Sequence, residues 1–304
     1  MKFVRPLSDL GSEIRSRSEK IHFGIASIDR KLRGFRVGEF GIIAGLPHHG
    51  KSLAAQTMVY NNRAVPMLWV SPDESRAKVL AQFAAVALGR SYQDDFEPIL
   101  ESRESDGETP TDEALDLTDE ITETITREYP LLTVIGGQYL SIADLGVAVD
   151  EAHEVTGHKP KMLVFDYMSQ LRLPPGFDTP NGKPDALKEF ASRTEVGVIA
   201  IHQIRKLYNP FDALSPNPGM LSYGGEQQAF QIVWCAREAL IDPSAGGAPE
   251  DRQPRVRVFV LKNKNGKTQM DGVDCAIDPV TGLVEEWSER HTRRRRGFDR
   301  LYGS

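Results

Sequence analysis

The residues best suited to chemistry lie in one short glycine-rich segment, residues 45–52, which reads GLPHHGKS. The segment matches the pattern G-x-x-x-x-G-K-[ST], in which glycines let the backbone wrap closely around a phosphate group. The turned amide N–H groups and the N-terminus of a following helix then face the anion. In such a loop Lys51 pairs with the β- and γ-phosphates of a nucleotide, and Ser52 holds Mg²⁺. A chance glycine turn is the alternative, but a predicted strand before the motif and a predicted helix after it favour phosphate binding.

Acidic and amide side chains follow three other apolar strands of the predicted fold. Asp166 ends a strand that we expect beside the first one, where its carboxylate can reach the water shell of Mg²⁺. Asp73 and Glu74 follow the second strand, where one of them can orient and deprotonate an attacking water, or else cap the next helix. Gln203 ends a later strand, where its amide can hydrogen-bond the γ-phosphate or simply face solvent.

These residues define a predicted site for ATP and Mg²⁺. Ser52 and Asp166 are the predicted metal ligands. The predicted cofactor-binding residues are Gly45, His49, Gly50, Lys51, Ser52, Leu53 and Asp166.

Two lysines lie at alternate positions near the end of a late predicted strand, in the sequence LKNKNG. Side chains two residues apart on a strand point the same way, so Lys262 and Lys264 can reach outward together. They can stabilise transition-state charge on the nucleotide of a neighbouring subunit. The alternative is a solvated hairpin turn with Asn265 and Gly266 at its tip.

Two long loops, residues 174–184 and 209–219, are rich in proline and glycine and come after the strands that end at Asp166 and Gln203. Each connection leaves a strand end near the predicted nucleotide, and binding residues commonly lie on such loops. If the chain binds single-stranded DNA, as the family resemblance set out below implies, we expect these connections to line its track, held by phosphate contacts. The candidate basic residues are Arg172 and Lys183 after the first strand and Arg205 and Lys206 after the second. The basic run at residues 293–296 is a further candidate.

The elements that must position these groups alternate between strands and helices. Strands are predicted at residues 39–44, 66–70, 131–135, 162–166, 196–202, 232–236, 256–261 and 273–277. Helices are predicted at residues 7–20, 51–61, 76–88, 142–155 and 185–194, and the acidic stretch 94–128 is predicted to form two surface helices joined by a loop. This order predicts an α/β fold with a mostly parallel central sheet flanked by helices and antiparallel edge strands at its C-terminal end.

Length and composition indicate a globular chain with one main domain. The chain has 304 residues, of which 40% are hydrophobic. We expect an N-terminal linker or helix at residues 1–20, an ATPase domain at 21–288 and a basic tail at 289–304. The net charge of −6 is a poor overall signature for nucleic-acid binding, although it leaves room for a local basic track.

Cysteine usage and hydropathy indicate the cellular compartment. The two cysteines, Cys235 and Cys275, have no CxxC or Cys/His partner nearby, which argues against a zinc site and a disulfide framework. This usage suits a reducing cytosol. No signal peptide and no apolar run of membrane-spanning length is found, so we expect a cytoplasmic protein with no membrane partner.

Taken in order, these motifs resemble the C-terminal motor domain of the DnaB-type replicative helicases, within the RecA superfamily, over residues 21–287. The similarity lies in the lead-in to the phosphate loop and in the segments VSPDES, VFDYMSQL, AIHQIRK, YGGEQQA and LKNKNG. Three features depart from the family pattern. Lys264 stands where the family has an arginine finger, although RecA-type recombinases use lysines there. A gapless register puts Asp73 at the catalytic glutamate, with Glu74 one residue away. The family's N-terminal domain is absent, which suggests a minimal motor of bacteriophage type.

The resemblance implies a RecA-like P-loop NTPase core that works as an ATP-dependent DNA helicase in replication. It implies a hexameric ring on single-stranded DNA, with a primase or a loader as a further partner. The implied catalytic residues are Asp73 or Glu74, Gln203, Lys262 and Lys264. Two other functions stay open: a RecA- or RadA-like recombinase or repair ATPase that forms filaments, and a weakly hydrolysing nucleotide-binding regulator or helicase loader.

Overall fold

A computed structural model of the chain describes residues 20–104, 107–174, 179, 181–204, 209–221, 224–241 and 255–288. The predicted helix at residues 7–20, the candidate residues Arg205 and Lys206, and the basic run at 293–296 lie outside these ranges, apart from Lys20, which belongs to a strand. Within the described ranges, no helix combines the length and apolar character needed to cross a membrane.

Nine strands of the described part of the chain form one central sheet, and two short strands form a separate antiparallel ribbon. The strands are β1 (Lys20–Ile21), β2 (Phe35–Arg36), β3 (Phe40–Gly45), β4 (Met67–Ser71), β5 (Leu132–Gly136), β6 (Met162–Asp166), β7 (Gly197–Gln203), β8 (Gln231–Ala236), β9 (Arg255–Asn263), β10 (Gln269–Ile277) and β11 (Val284–Glu286). The order in the large sheet is β11-β10-β9-β8-β3-β7-β6-β4-β5, and β1 pairs with β2.

The sheet has a parallel part and an antiparallel edge, as the sequence predicts. Strands β8, β3, β7, β6, β4 and β5 are parallel, whereas β9, β10 and β11 continue the sheet in antiparallel fashion. All six residues of β3 are buried, which is typical of a parallel strand covered on both faces.

Helices cover both faces of the sheet. They are α1 (Ala26–Leu32), α2 (Lys51–Asn61), α3 (Arg76–Leu88), α4 (Glu97–Leu100), α5 (Asp112–Glu128), α6 (Ile142–Thr156), α7 (Gly182–Thr194) and α8 (Glu238–Ile241). Helices α1, α2 and α3 pack on the face that carries Ile43, and α6 and α7 pack on the opposite face, which carries Ile42. Adjacent strand residues thus serve two separate apolar layers, because successive side chains point to opposite faces.

The predicted strands and helices are confirmed to within a few residues, and the differences have local causes. Helix α7 begins at Gly182 rather than at 185, since Pro184 is tolerated in a first helical turn. The acidic stretch does form two helices with a loop between them, but α5 also buries Leu117 and Ile121 against α3. Helix α1, the ribbon and β11 were not predicted, because each is too short to show a clear periodicity.

Strand direction brings the functional connections to one edge of the sheet. The strands β3, β4, β6, β7 and β8 are parallel, so their carboxyl ends lie together and the loops that leave them are neighbours. In open α/β sheets, ligands bind in the crevice outside these carboxyl ends. The phosphate-loop motif, the acids and the glutamine singled out from the sequence all lie at this edge.

Candidate nucleotide-binding site

The glycine-rich loop joins the buried strand β3 to helix α2, as the motif requires. A β-carbon at Gly45 would lie 2.5 Å from the carbonyl oxygen of Cys235, so only glycine lets β3 and β8 approach this closely. Gly50 caps α2 with a φ of 83°, a left-handed conformation that favours glycine. The loop therefore ends at a helix N-terminus whose free amide groups can face an anion.

Lys51 is buried beneath the loop in its first helical turn. Its Nζ donates a hydrogen bond of 2.7 Å to the carbonyl oxygen of Leu46. Burial lowers the pKa of Lys51 to about 8, and the nearby Cys235 and Asp166 oppose this effect. The ammonium is held at the loop with little solvent around it, which strengthens its attraction for a phosphate group.

Asp166 ends β6 and is buried beside Ser52. The Ser52 hydroxyl donates a hydrogen bond to the carboxyl group. Burial raises the pKa of Asp166 to about 7, and this hydrogen bond opposes the increase. The Oδ1 atom has no hydrogen-bond partner among the described residues. A buried carboxylate oxygen without a partner, next to a serine hydroxyl, fits a hard divalent cation such as Mg²⁺.

The position of β6 corrects one expectation. The sequence interpretation put the strand of Asp166 beside β3, but β7 lies between them, so β6 pairs with β7 and β4. The periodicity of the sequence indicates where a strand lies in the chain but not which strands pair with it. The order of the strands in the sheet was therefore not predictable from the residues. Asp166 still meets Ser52, because the loop and the first turn of α2 extend across the end of β7.

Gln203 occupies the position between these two groups. It is the last residue of β7, it pairs in register with Gly45, and its side chain is exposed. The next amide, Ile204 N, donates to the Gly45 carbonyl at 3.2 Å. His202, one residue earlier, is buried, and burial together with the Lys51 charge lowers its pKa to about 4. Gln203 is therefore the exposed polar side chain at the end of β7, next to the phosphate loop.

The two acids after β4 lie near Asp166. Their charges both raise its pKa, and the contribution of Glu74 is the larger. Capping of α3 is performed by Ser75, whose hydroxyl accepts from Lys78 N at 3.2 Å. Neither acid is therefore needed as the helix cap.

The surroundings of the two acids differ. Asp73 accepts hydrogen bonds from Gln170 Nε2 and, at 3.4 Å, from the Tyr139 hydroxyl. Glu74 contacts Lys78 Nζ and Gln82 Nε2, each at 3.5 Å. Both Asp73 oxygens are thus held by loop side chains, which favours Glu74 as the acid available to a water molecule.

Arg237, which lies directly after β8, was missed by sequence reasoning. Its backbone N–H donates to Nδ1 of the buried His49 at 3.1 Å, which ties the phosphate loop to the end of β8. Burial, together with the charges of Lys51 and Arg237, lowers the pKa of His49 to about 4, so this ring is a neutral support. No local pattern pointed to Arg237, because β8 becomes a neighbour of the loop only in the folded sheet.

The predicted binding residue Leu53 turns its side chain away from the loop. A β-carbon at Gly282 would lie 3.0 Å from Leu53 Cδ2, and the leucine packs against the core. Its backbone amide remains in the first turn of α2, so any contribution of Leu53 to phosphate binding comes from that amide.

The two lysines lie at the opposite edge of the sheet. Asn263, between them, pairs with Gln231 at the start of β8, and Gln231 pairs with Gly41 near the start of β3. Lys262 Nζ donates to the carbonyl oxygens of Glu226 and Gln227, whereas Lys264 is exposed and lies 4.7 Å from the centre of the Phe230 ring. Of the two, Lys264 is the more exposed, and among the described residues its Nζ has no fixed partner beyond the ring of Phe230.

The candidate DNA-binding residues that the structure describes lie after β6. The Arg172 guanidinium is 5.2 Å from the centre of the half-exposed Tyr139 ring, and Lys183 Nζ donates to the Ser169 carbonyl. Both are near Gln170, which bonds Asp73. The segment after β6 that carries these basic residues is therefore linked to Asp73 through the side chain of Gln170.

A mostly parallel sheet with a glycine-rich phosphate loop on one strand, an aspartate on a strand two positions away and a glutamine on the strand between them defines a RecA-like P-loop NTPase core. The family profile described as "DnaB-like helicase C terminal domain" matches residues 21–276. The chain therefore belongs to the family of DnaB-like helicase C-terminal domains.

Solved structures share this fold at low sequence identity. A DnaB-like replicative helicase, determined together with its interactions with primase, superimposes with a TM-score of 0.70 at 17% identity, over 94% of this chain and 69% of that chain. A phage ATPase domain gives a TM-score of 0.70 at 16% identity, over 93% of this chain and 97% of that chain. A search of curated protein sequences finds no match.

Replacing Asp166 by asparagine should stabilise the metal-free protein above pH 7. The folded carboxyl keeps its proton up to about pH 7, whereas the unfolded one loses it near pH 4, so the wild-type free energy of unfolding falls as pH rises between these values. Thermal melts should show a gain on the order of 1–4 kcal/mol for Asp166→Asn at pH 8 and a smaller one at pH 5. The exposed Asp150→Asn is the matched control. Equal melting temperatures of wild type and Asp166→Asn at pH 8 would contradict the burial of this charge.

Proposed function

We propose that this chain is the ATP-hydrolysing motor of a ring-forming DNA helicase, which converts hydrolysis into movement along single-stranded DNA. The observation that carries the proposal is the separation of two sets of residues. The phosphate loop, Asp166 and Gln203 lie at one edge of the sheet, and Lys264 lies at the other.

The two edges of the sheet are too far apart for Lys264 to contact a nucleotide bound at the phosphate loop of its own chain. Gly45 follows Gly41 by four residues along β3, which corresponds to about 13 Å at the usual strand rise. Lys264 lies two strands to the side and beyond the amino-terminal edge, out of reach of its own loop even with a four-carbon side chain. A lysine that acts on a nucleotide must therefore act on the nucleotide of a neighbouring copy.

In the proposed mechanism each side chain acts on a different part of ATP. Lys51 donates to the β- and γ-phosphate oxygens in place of its bond to Leu46. Ser52 and Asp166 would hold Mg²⁺, which would neutralise charge on the phosphates when bound.

The remaining residues act on the attacking water and the γ-phosphate. Glu74, or Asp73 if its loop contacts open, orients the water and accepts its proton. Gln203 hydrogen-bonds the γ-phosphate next to Gly45, and Lys264 of the neighbouring copy stabilises charge on the transferring group. Lys262 stays bound to its own chain and supports the strand that carries Lys264.

Single-stranded DNA is the proposed track, and its contacts are electrostatic. Arg172 and Lys183 in the first connection, with Arg205 and Lys206 in the second, repeat in every subunit, so a ring of acidic chains can present a basic pore. Such phosphate contacts weaken steeply with salt and show little sequence preference. The DnaB-like helicase of similar fold was studied with primase. A primase, or a loader, is accordingly the further partner that we propose here.

DNA-stimulated turnover is the first test of this function. Wild-type protein should hydrolyse ATP faster with single-stranded DNA and unwind a forked duplex, whereas Lys51→Ala should lose turnover because its main phosphate-binding cation is gone. ATPase rates and melting curves of both proteins measure this. Unchanged hydrolysis by a folded Lys51→Ala protein would contradict the proposed site. Turnover without unwinding, together with filaments in negative-stain images, would favour a RecA- or RadA-like recombinase. DNA-independent, very slow turnover would favour a nucleotide-binding regulator or loader.

The two acids should differ in their effect on turnover. If Glu74 is the base, Glu74→Gln should reduce the rate by about 10²–10⁴-fold while ATP binding persists. Asp73→Asn should reduce it less, because the asparagine still accepts one of the two hydrogen bonds from the loop. Single-turnover hydrolysis and nucleotide binding should be measured for each variant. Full activity in both would mean that the base lies elsewhere.

The contribution of a lysine from a neighbouring copy can be tested by complementation. Lys51→Ala has an inactive loop and an intact Lys264, and Lys264→Ala has the reverse. Co-expressed with different tags and purified as mixed assemblies, they should hydrolyse ATP faster than either variant alone. If equal amounts of the two variants mix at random and the sites act independently, about one quarter of the interfaces join an intact phosphate loop to an intact Lys264. A mixture no faster than the separate variants would show that Lys264 does not act on a neighbouring site.

A further inference from the structure

The Lys264 hairpin is anchored by a side chain that the proposed mechanism does not use. Asn263 Nδ2 donates to the carbonyl oxygens of Lys31 at 2.7 Å and Lys267 at 3.1 Å. Its Oδ1 accepts from Gln231 Nε2 at 3.2 Å and from the backbone N–H of Asn265 at 3.0 Å. One amide group thus joins both sides of the hairpin turn to the end of α1 and to the start of β8.

Two further contacts hold the same turn. Gln231 is buried and donates to the carbonyl oxygens of Leu32 at 2.8 Å and Gly34 at 3.1 Å. It therefore holds the end of α1, which Asn263 also binds. Asn265 Nδ2 donates to Glu39 Oε2 at 2.6 Å. A β-carbon at Gly266 would lie 2.4 Å from the Lys31 carbonyl, so the turn is seated closely on the end of α1.

The sequence LKNKNG therefore has two alternating roles. Asn263 and Asn265 are partly buried and bind the body of the molecule, whereas Lys264, between them, is exposed. The backbone on either side of Lys264 is held by an amide on each flank. A hydrogen-bonded amide with four partners restricts its backbone more than a solvated turn would.

We propose that Asn263, supported by Gln231 and Asn265, is a positioning residue that aims Lys264 at the nucleotide of the neighbouring subunit. This inference rests on the proposed role of Lys264 in a neighbouring site. Asn263 touches no reacting group. Its effect comes from holding the Lys264 backbone, and misplacement of a catalytic group by about 1 Å is enough to cost on the order of 10²-fold in rate.

The expected signature separates binding from turnover. Asn263→Ala should lower the DNA-stimulated kcat by about 10-fold and leave the KM for ATP within about twofold, because each subunit's own phosphate loop is untouched. Asn265→Ala removes only the bond to Glu39 and should have a smaller effect in the same direction. Asn62→Ala is the matched control: its amide also donates to two carbonyl oxygens, those of His22 at 2.7 Å and Met58 at 2.6 Å, and neither of these bonds involves the hairpin. Its kcat should stay near wild type.

Complementation distinguishes misplacement of Lys264 in the Asn263→Ala variant from a general loss of that variant's structure. Asn263→Ala has an intact phosphate loop, so co-assembly with Lys51→Ala, whose hairpin is intact, should give more hydrolysis per subunit than Asn263→Ala alone. A variant damaged throughout its fold would not be rescued by a neighbour's hairpin. If Asn263→Ala folds too poorly to purify, Asn265→Ala takes its place, and the rates are compared per intact phosphate loop, because at random mixing a defect smaller than about threefold gives no gain per subunit.

The possible outcomes test separately the role of Lys264 in a neighbouring site and the positioning role of Asn263. If Lys264→Ala complements Lys51→Ala while Asn263→Ala and Asn265→Ala both keep wild-type kcat, the positioning role is wrong and the role of Lys264 stands. The positioning role is also wrong if the Asn263→Ala defect lies in the KM for ATP or is not relieved by Lys51→Ala. If Lys264→Ala itself fails to complement, the contact with a neighbouring site is wrong, and the positioning role falls with it.

Discussion

The direction of the strands in the central sheet separates the candidate nucleotide-binding residues from the lysine that the proposed mechanism adds to them. The parallel strands end together and collect the phosphate loop, Asp166 and Gln203, whereas antiparallel β9 ends at the other edge with Lys264. Strand register is strongly specified where both faces are buried, so neither set can slide toward the other. Under the proposed function, hydrolysis in one subunit requires the surface of the next, and assembly becomes part of the catalytic site.

A second constraint is the burial of charge beside the loop. Lys51 and Asp166 are both buried, and burial disfavours the charged form of each, so the pKa of the lysine is lowered and that of the aspartate is raised. The site is therefore strained electrostatically when its charges are unpaired. In the proposed mechanism, a polyphosphate with a divalent cation would bring a negative charge to Lys51 and a positive charge to Asp166. Binding would then relieve both penalties together, which is a physical reason for the proposed nucleotide and metal to bind cooperatively.

The sequence predicted the fold class, most strands and helices, and the identity of the phosphate loop, because these depend on local patterns. The helix at Lys51–Asn61 and the helix at Arg76–Leu88 have the predicted bounds. The order of the strands was not available from such patterns, so β6 was placed beside β3 although β7 lies between them. For the same reason, local patterns did not predict the position of Arg237 beside the phosphate loop or the contacts of Asn263, whose partners are distant in the sequence. The preference for Glu74 over Asp73 in the proposed mechanism was likewise not available from the sequence, since it rests on contacts of Asp73 with Gln170 and Tyr139, which are distant in the chain.

The contacts of Lys262 connect the strand that carries Lys264 to the loop that we propose to contact DNA. Lys262 donates to the carbonyl oxygens of Glu226 and Gln227, which belong to the turn that joins the loop at residues 209–221 to β8. That turn packs closely on β3, since a β-carbon at Gly225 would lie 2.8 Å from Ile42 Cδ1. A rigid turn transmits a displacement better than a soft one, because packed cores respond as units. If the γ-phosphate of a neighbouring subunit attracts Lys264, the anchored hairpin passes this force to its own subunit, including the turn that Lys262 holds and the loop that we propose to contact DNA. Hydrolysis in one subunit would then act on the DNA contact of the next.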